Sequence, residues 1–164
     1  MSNHSLTIEQ VLTRLAEHPQ RIATLTKGLT SAQLRTRSKP DEWSANDVLA
    51  HLRSCADVWG NYIRKILAED RPSIRAVSPR TWVKQTDYPA LEFETSFRAF
   101  TAQRADLLSV LESLPPKTWS RAAFVTMVGK VIDRTVWDYA ERLAIHERSH
   151  VSQIEQIINT LHMS

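Results

Sequence analysis

A chain of 164 residues, 42% of them hydrophobic, can bury one good core but not two, and its single cysteine, Cys55, has no partner for an internal disulfide. The 21 basic and 18 acidic residues leave a formal charge of +3, a mixed surface rather than a basic stripe, which argues against nucleic acid as a partner. No run approaches the roughly 18 apolar residues of a membrane span, and the first ten residues, MSNHSLTIEQ, lack the basic and apolar regions of a secretion signal; a cytoplasmic protein of one domain, 1–164, without a membrane partner is expected.

With only 3 glycines, and 7 prolines that fall mostly between periodic stretches, the punctuation is that of long helices and predicts an all-α fold. The first helix is expected over Leu6 to Leu25, where Ile8, Val11, Leu12, Leu15, Ile22 and Leu25 recur at helical spacing, with Gly28 as its stop and Pro19 as a kink or break. A loop then leads to Ser44, whose hydroxyl can cap a second helix with Asp47 in the capping-box position. Its stripe through Val48, Leu52, Cys55, Trp59, Tyr62 and Ile66 carries His51 on the same arc, so His51 should face the core. The irregular stretch after Asp70 holds Pro72, Pro79 and Pro89, together with Arg71, Arg75, Arg80 and Lys84 around Trp82, read as a solvated basic loop. A third helix is predicted from about Ala90 to Leu114, ended by Pro115 and Pro116. The last helix should start at Thr135, capped with Asp138 three residues on, and run past Leu143, His146, His150, Ile154 and Leu161. The expectation is four main helices around one core, with no strand evident.

His146 and His150 lie one turn apart on one face of that helix, and both fall at core positions. Burying two imidazoles costs free energy unless their ring nitrogens find partners. Hydrogen bonds to tyrosine, aspartate or backbone could supply them, and so could a metal ion; His51, a third inward histidine on another helix, tilts the reading towards the metal, since imidazole suits zinc, nickel, copper and iron. His4, His18 and His162 read as ordinary surface residues. The string His146-Glu147-Arg148-Ser149-His150 also spells the H-E-x-x-H pattern of zinc proteases, in which the glutamate activates a metal-bound water. No glycine and third histidine follow at metzincin spacing, and no strand is at hand to align a peptide, so protease activity is set aside.

Two segments, Trp43-Ser44-Ala45-Asn46-Asp47-Val48-Leu49-Ala50-His51-Leu52 and His146-Glu147-Arg148-Ser149-His150-Val151-Ser152-Gln153-Ile154, resemble in kind, order and separation the motifs of the DinB/YfiT-like metalloenzyme family. The resemblance runs over nearly the whole chain in helix order. It implies a four-helix bundle of up-down-down-up topology, a homodimer, and a zinc or nickel ion bound by His51, His146 and His150 with coordination positions left open. It also implies a small-molecule substrate, since characterised relatives include transferases and isomerases that use mycothiol, bacillithiol or glutathione, a low-molecular-weight thiol that the metal holds as thiolate. The family name implies no polymerase and no DNA binding.

Three neutral imidazoles leave a divalent cation its full charge, which lowers the pKa of a bound water or thiol. Glu147, beside the first histidine of the pair, is the candidate catalytic residue, as a general base or as an orienter of a histidine, against the plainer reading of a surface carboxylate. Cys55, one turn beyond His51, is a conceivable fourth ligand or a small core residue. Trp59, Tyr62 and Tyr139 could line the pocket or simply pack. Two classes stay open: a metal-dependent enzyme, and a bundle that binds a metal or small ligand without catalysis.

Overall fold

The structure, a computed structural model, describes residues 4–163, so the two ends of the expected 1–164 domain lie outside the described residues. Four long helices dominate: α1 (Ile8–Thr26), α3 (Ala45–Ala68), α5 (Phe93–Glu112) and α6 (Val136–His162). Two short helices, α2 (Ser31–Arg35) and α4 (Pro79–Trp82), and three strands, β1 (Ser73–Arg75), β2 (Ala122–Met127) and β3 (Lys130–Thr135), occupy the connections.

Local chemistry explains where the long helices begin. Thr7, Ser44 and Thr135 each accept a hydrogen bond from the backbone N–H three residues on, and Gln10, Asp47 and Asp138 return it to the cap's own N–H. These boxes satisfy helix-end donors that would otherwise be orphaned, each worth about 1 kcal/mol. Gly28, at φ +79°, stops α1 after Lys27 as the left-handed residue the sequence calls for. Pro19 does not break α1; it sits buried inside a continuous helix.

The helices close on one core. α1 packs against α5 and α6, and α3 packs against the same two, so α1 and α3 face each other across the bundle rather than side by side. Leu15, Ile22, Leu49, Leu52, Ile63, Phe100, Leu143 and Ile154 are fully enclosed there, and each contributes on the order of 2 kcal/mol by leaving water.

The all-α expectation needs correction, because the fold is mostly helical but carries a three-stranded sheet in the order β1-β2-β3. β1 runs parallel to β2, with Ile74 opposite Val125, and β2 runs antiparallel to β3, with Phe124 opposite Asp133 and Val125 opposite Ile132. Ile74, Ala123 and Val125 are the buried residues of this alternation and join the core. The two-residue turn at Val128 and Gly129 (φ +44° and +77°) has the left-handed backbone of a tight hairpin. It was hard to read because a β-branched residue stands where asparagine or aspartate usually signals such a turn. The basic loop is likewise partly structured: Arg75 ends β1, Arg80 and Trp82 lie on α4, and the Trp82 indole donates to the Asp57 carboxylate at 3.0 Å. Among the described residues no helix is long and apolar enough to cross a membrane.

Candidate metal centre

His51 projects from the second turn of α3, and His146 and His150 project from the middle of α6 onto the same point. The Nε2 atoms of His51 and His146 lie 3.3 Å apart, and those of His146 and His150 lie 3.1 Å apart. Imidazole nitrogens held at about 2.0–2.1 Å around a tetrahedral cation stand about 3.3 Å from one another, so this spacing suits a shared metal. The three histidines singled out in the sequence are thus brought together.

Their protonation is equally suited. The Nδ1–H of His150 donates to the Gln153 side-chain oxygen at 2.7 Å; an amide oxygen only accepts, so the hydrogen sits on Nδ1 and Nε2 keeps its lone pair. Burial, with His150, His146 and Arg80 adding repulsion, pushes the His51 pKa down to about 3. Burial and the charge of His150 push His146 down to about 4, and burial also lowers His150, against the opposing bond from Gln153. The cluster is therefore neutral near pH 7. Three ring nitrogens then converge with at most one proton between neighbours, while the buried Nδ1 of His146 has no partner among the described residues. A cation on the three Nε2 atoms would take up their lone pairs, which is the property expected of a ligand set, while the Nδ1 of His146 would stay without a partner.

Cys55 complicates the ligand choice, since its Sγ lies 3.6 Å from Nε2 of His51 and the donor atoms of His51, Cys55 and His146 fall within 4.8 Å of one another. We favour His150 over Cys55 as the third ligand. The thiol is wholly enclosed, and burial together with the charge of Glu147 raises its pKa to about 12 without a cation, so it would have to shed a proton to bind one, whereas His150 already presents a lone pair.

Glu147 is not available for the role expected of it. Its side chain is fully buried, both carboxylate oxygens accept from the Arg104 guanidinium, and Oε1 also accepts from Nδ1 of His18 at 3.0 Å. Burial alone would raise its pKa, but Arg104 and His18 outweigh that and hold it below the usual carboxylate range. It is neither a surface carboxylate nor a base with a free oxygen. His18 is accordingly buried, and His4 stacks on Trp137 at 4.3 Å and bonds Asp138, so neither is the plain surface residue expected.

Aromatic rings wall the cluster. Trp43 lies 5.2 Å from the His51 ring and 6.2 Å from His150, and Trp59 meets the His146 ring edge-on at 5.2 Å. His150 opens, with Trp43, Arg80 and Gln153, onto a cleft of about 550 Å³, so a ligand could reach the metal position from solvent. The part played by Gln153 went unread in the sequence; its signal was a polar residue one turn beyond His150 on the same helix face.

Fold and site together define a helical bundle with a cluster of three histidines, spaced as metal ligands are, between two of its long helices. Residues 14–154 match the DinB superfamily, to which the chain belongs. The solved structure of YfiT from Bacillus subtilis matches with a TM-score of 0.75 at 18% identity, covering 99% of this chain and 93% of that one. YfiT is described as a probable metal-dependent hydrolase with an unusual four-helix bundle topology; at this identity the likeness is one of fold. No curated protein sequence matches.

Proposed function

We propose that this protein is a cytoplasmic, metal-dependent enzyme of up-down-down-up topology, acting as a homodimer on a small electrophile. In this reading His51, His146 and His150 hold zinc or nickel, and a low-molecular-weight thiol such as mycothiol, bacillithiol or glutathione is transferred to the substrate or assists its isomerisation. The observation that carries it is the convergence of three neutral imidazoles, with Nε2 of His146 3.3 Å from that of His51 and 3.1 Å from that of His150, beside an open cleft. When bound, the cation supplies Lewis acidity, lowering the pKa of a thiol or water presented to it.

The chain's own residues supply the rest. Gln153 fixes the tautomer of His150, Trp43 and Trp59 keep water from two sides of the cluster, and the cleft beside His150 admits the substrate. A second reading, hydrolysis, is favoured by the fold likeness to YfiT and the description given of that protein. It would use the same ligands with water in place of the thiol, and Glu147, bound to Arg104, would not serve as its base.

Elemental analysis of protein purified without a nickel column tests the reading. About one zinc or nickel per chain is expected, lost in the His146→Ala/His150→Ala variant, after which turnover of model electrophiles with and without each thiol separates transferase from hydrolase. Absence of metal in the purified protein, with no uptake of added zinc or nickel, would reduce the cluster to core histidines and remove the enzyme reading.

A further inference from the structure

Beside the histidine cluster, and separate from the cleft at His150, lies a cavity of about 390 Å³ whose lining includes Trp59, Tyr62, Tyr139, Met127, Arg134 and Arg142. It is built by all three layers of the fold: α3 brings Trp59 and Tyr62, α6 brings Tyr139 and Arg142, and the hairpin of β2 and β3 closes over them with Met127 at its tip and Arg134 on its second strand. The two tyrosine rings pack at 5.2 Å, and the Arg142 guanidinium lies 5.5 Å over the Trp59 ring, whose other contact is His146.

Its charge is unbalanced. No acidic side chain lines the cavity, and neither Arg134 nor Arg142 forms an ion pair among the described residues. Arg134 donates only to the backbone oxygen of Asp133, at 3.2 Å, and the Tyr139 hydroxyl has no hydrogen-bond partner among the described residues. In the adjoining cleft, which Arg134, Tyr139 and Arg142 share with His146, the acids are engaged elsewhere: Asp138 bonds His4 and caps α6, and Glu141 accepts from the backbone N–H groups of Ser5 and Leu6. Two unpaired guanidinium groups at the rim of an aromatic cavity match an oxyanion attached to an apolar body, since guanidinium forks bind carboxylates with paired hydrogen bonds and aromatic walls take the carbon skeleton.

We propose that this cavity binds the carboxylate end of an apolar organic acid, with Arg134 and Arg142 on the carboxylate and Trp59, Tyr62 and Tyr139 around its body. This deepens the functional reading, on which it rests, because the adjoining cleft shares Arg134, Tyr139 and Arg142 with the cavity and has His146 in its wall, and it makes the substrate an electrophile that carries such a carboxylate. Binding of the acid itself needs no metal.

Calorimetric titration of the metal-free protein with 4-phenylbutyrate, and with its neutral amide, tests this, with backbone amide shifts locating the ligand. The acid should bind at residues 134–142 at least about tenfold more tightly than the amide, as expected when a charged hydrogen bond is lost. Arg134→Gln and Arg142→Gln should each weaken the acid about tenfold while leaving the amide unchanged, and Arg142→Lys should retain most of the binding. Equal affinity for acid and amide, no binding of either, or indifference to both glutamine variants would overturn the proposal. So would acid binding that appears only with metal loaded, since the metal would then be the receptor. Loss of the metal reading leaves the acid titration standing, and loss of acid binding leaves the metal content unchanged.

Discussion

Two polar clusters sit within one turn of each other on α6, facing different neighbours, and they are built on different terms. Glu147 meets Arg104 from α5 and His18 from α1, and the charges compensate each other: both carboxylate oxygens are taken, and a guanidinium N–H left over donates to the Leu15 carbonyl at 2.9 Å, although the buried Nε of Arg104 has no partner among the described residues. His146 and His150 meet His51 from α3, and there no opposite charge is at hand: among the described residues the converging Nε2 atoms find one another and the Cys55 thiol. Burial is common to both, so burial alone does not mark a functional site. A carboxylate paired with a guanidinium compensates its own burial and holds the fold together, whereas neutral ring nitrogens that converge on one point can take a cation from outside.

The largest expected effect falls on the open cluster. His146→Ala/His150→Ala should remove the metal and lower activity by more than about 100-fold, beyond what loss of an outer partner of a ligand costs, yet leave the melting temperature of the metal-free protein unchanged or raised. A fall of many degrees in the metal-free protein would make the histidines structural and erase the contrast. Glu147→Gln should do the reverse. It leaves the Arg104 charge buried without its counterion and should cost about 3–5 kcal/mol in denaturant unfolding, while material that folds binds metal at the parental stoichiometry. Loss of metal from folded Glu147→Gln protein would show that the two clusters act as one.

A smaller effect sharpens the border of the site. Gln153→Leu frees the tautomer of His150 and should weaken metal affinity about 10–100-fold by competition with a chelator, with stability little changed; unchanged affinity would remove Gln153 from the site. The finest test is the acid limb of stability in metal-free protein. His51 and His146 titrate near 3 and 4 in the fold against an ordinary 6.5, so the unfolded chain takes up their protons first; their contribution is complete above about pH 6.5 and fades as pH falls towards 4. Glu147, held below its ordinary 4.5, contributes above that value and its contribution is lost only as pH falls further. Denaturation profiles should therefore show two regions of acid loss, with the upper one reduced in a His51→Ala/His146→Ala variant to what the lowered His150 still contributes. A single region unaffected by that variant would refute the assignment.

Much of the helical frame was legible because its signals are local. Ser44 with Asp47 and Thr135 with Asp138 mark their helix starts to the residue, and Gly28 marks a stop. The third helix was placed less well, from about Ala90 rather than Phe93, since Glu92 makes no side-chain cap there. The sheet was missed because β1 has three residues and pairs with a strand just over fifty positions away, Ile74 with Val125, which no local pattern announces.

By itself the sequence determined that His51, His146 and His150 face inward, because helical periodicity assigns a residue to a face before any packing is known. It could not determine what an inward residue meets. Glu147 and His146 are neighbours in the chain and both lie inward, yet one meets an arginine and the other meets two histidines. Only the packing of α6 against α1 and α3, with Arg104 of α5 reaching across the core, decided that, since it depends on which elements meet there, and residues 40 to 130 positions apart have no local interaction through which the chain could encode the pairing in a readable pattern.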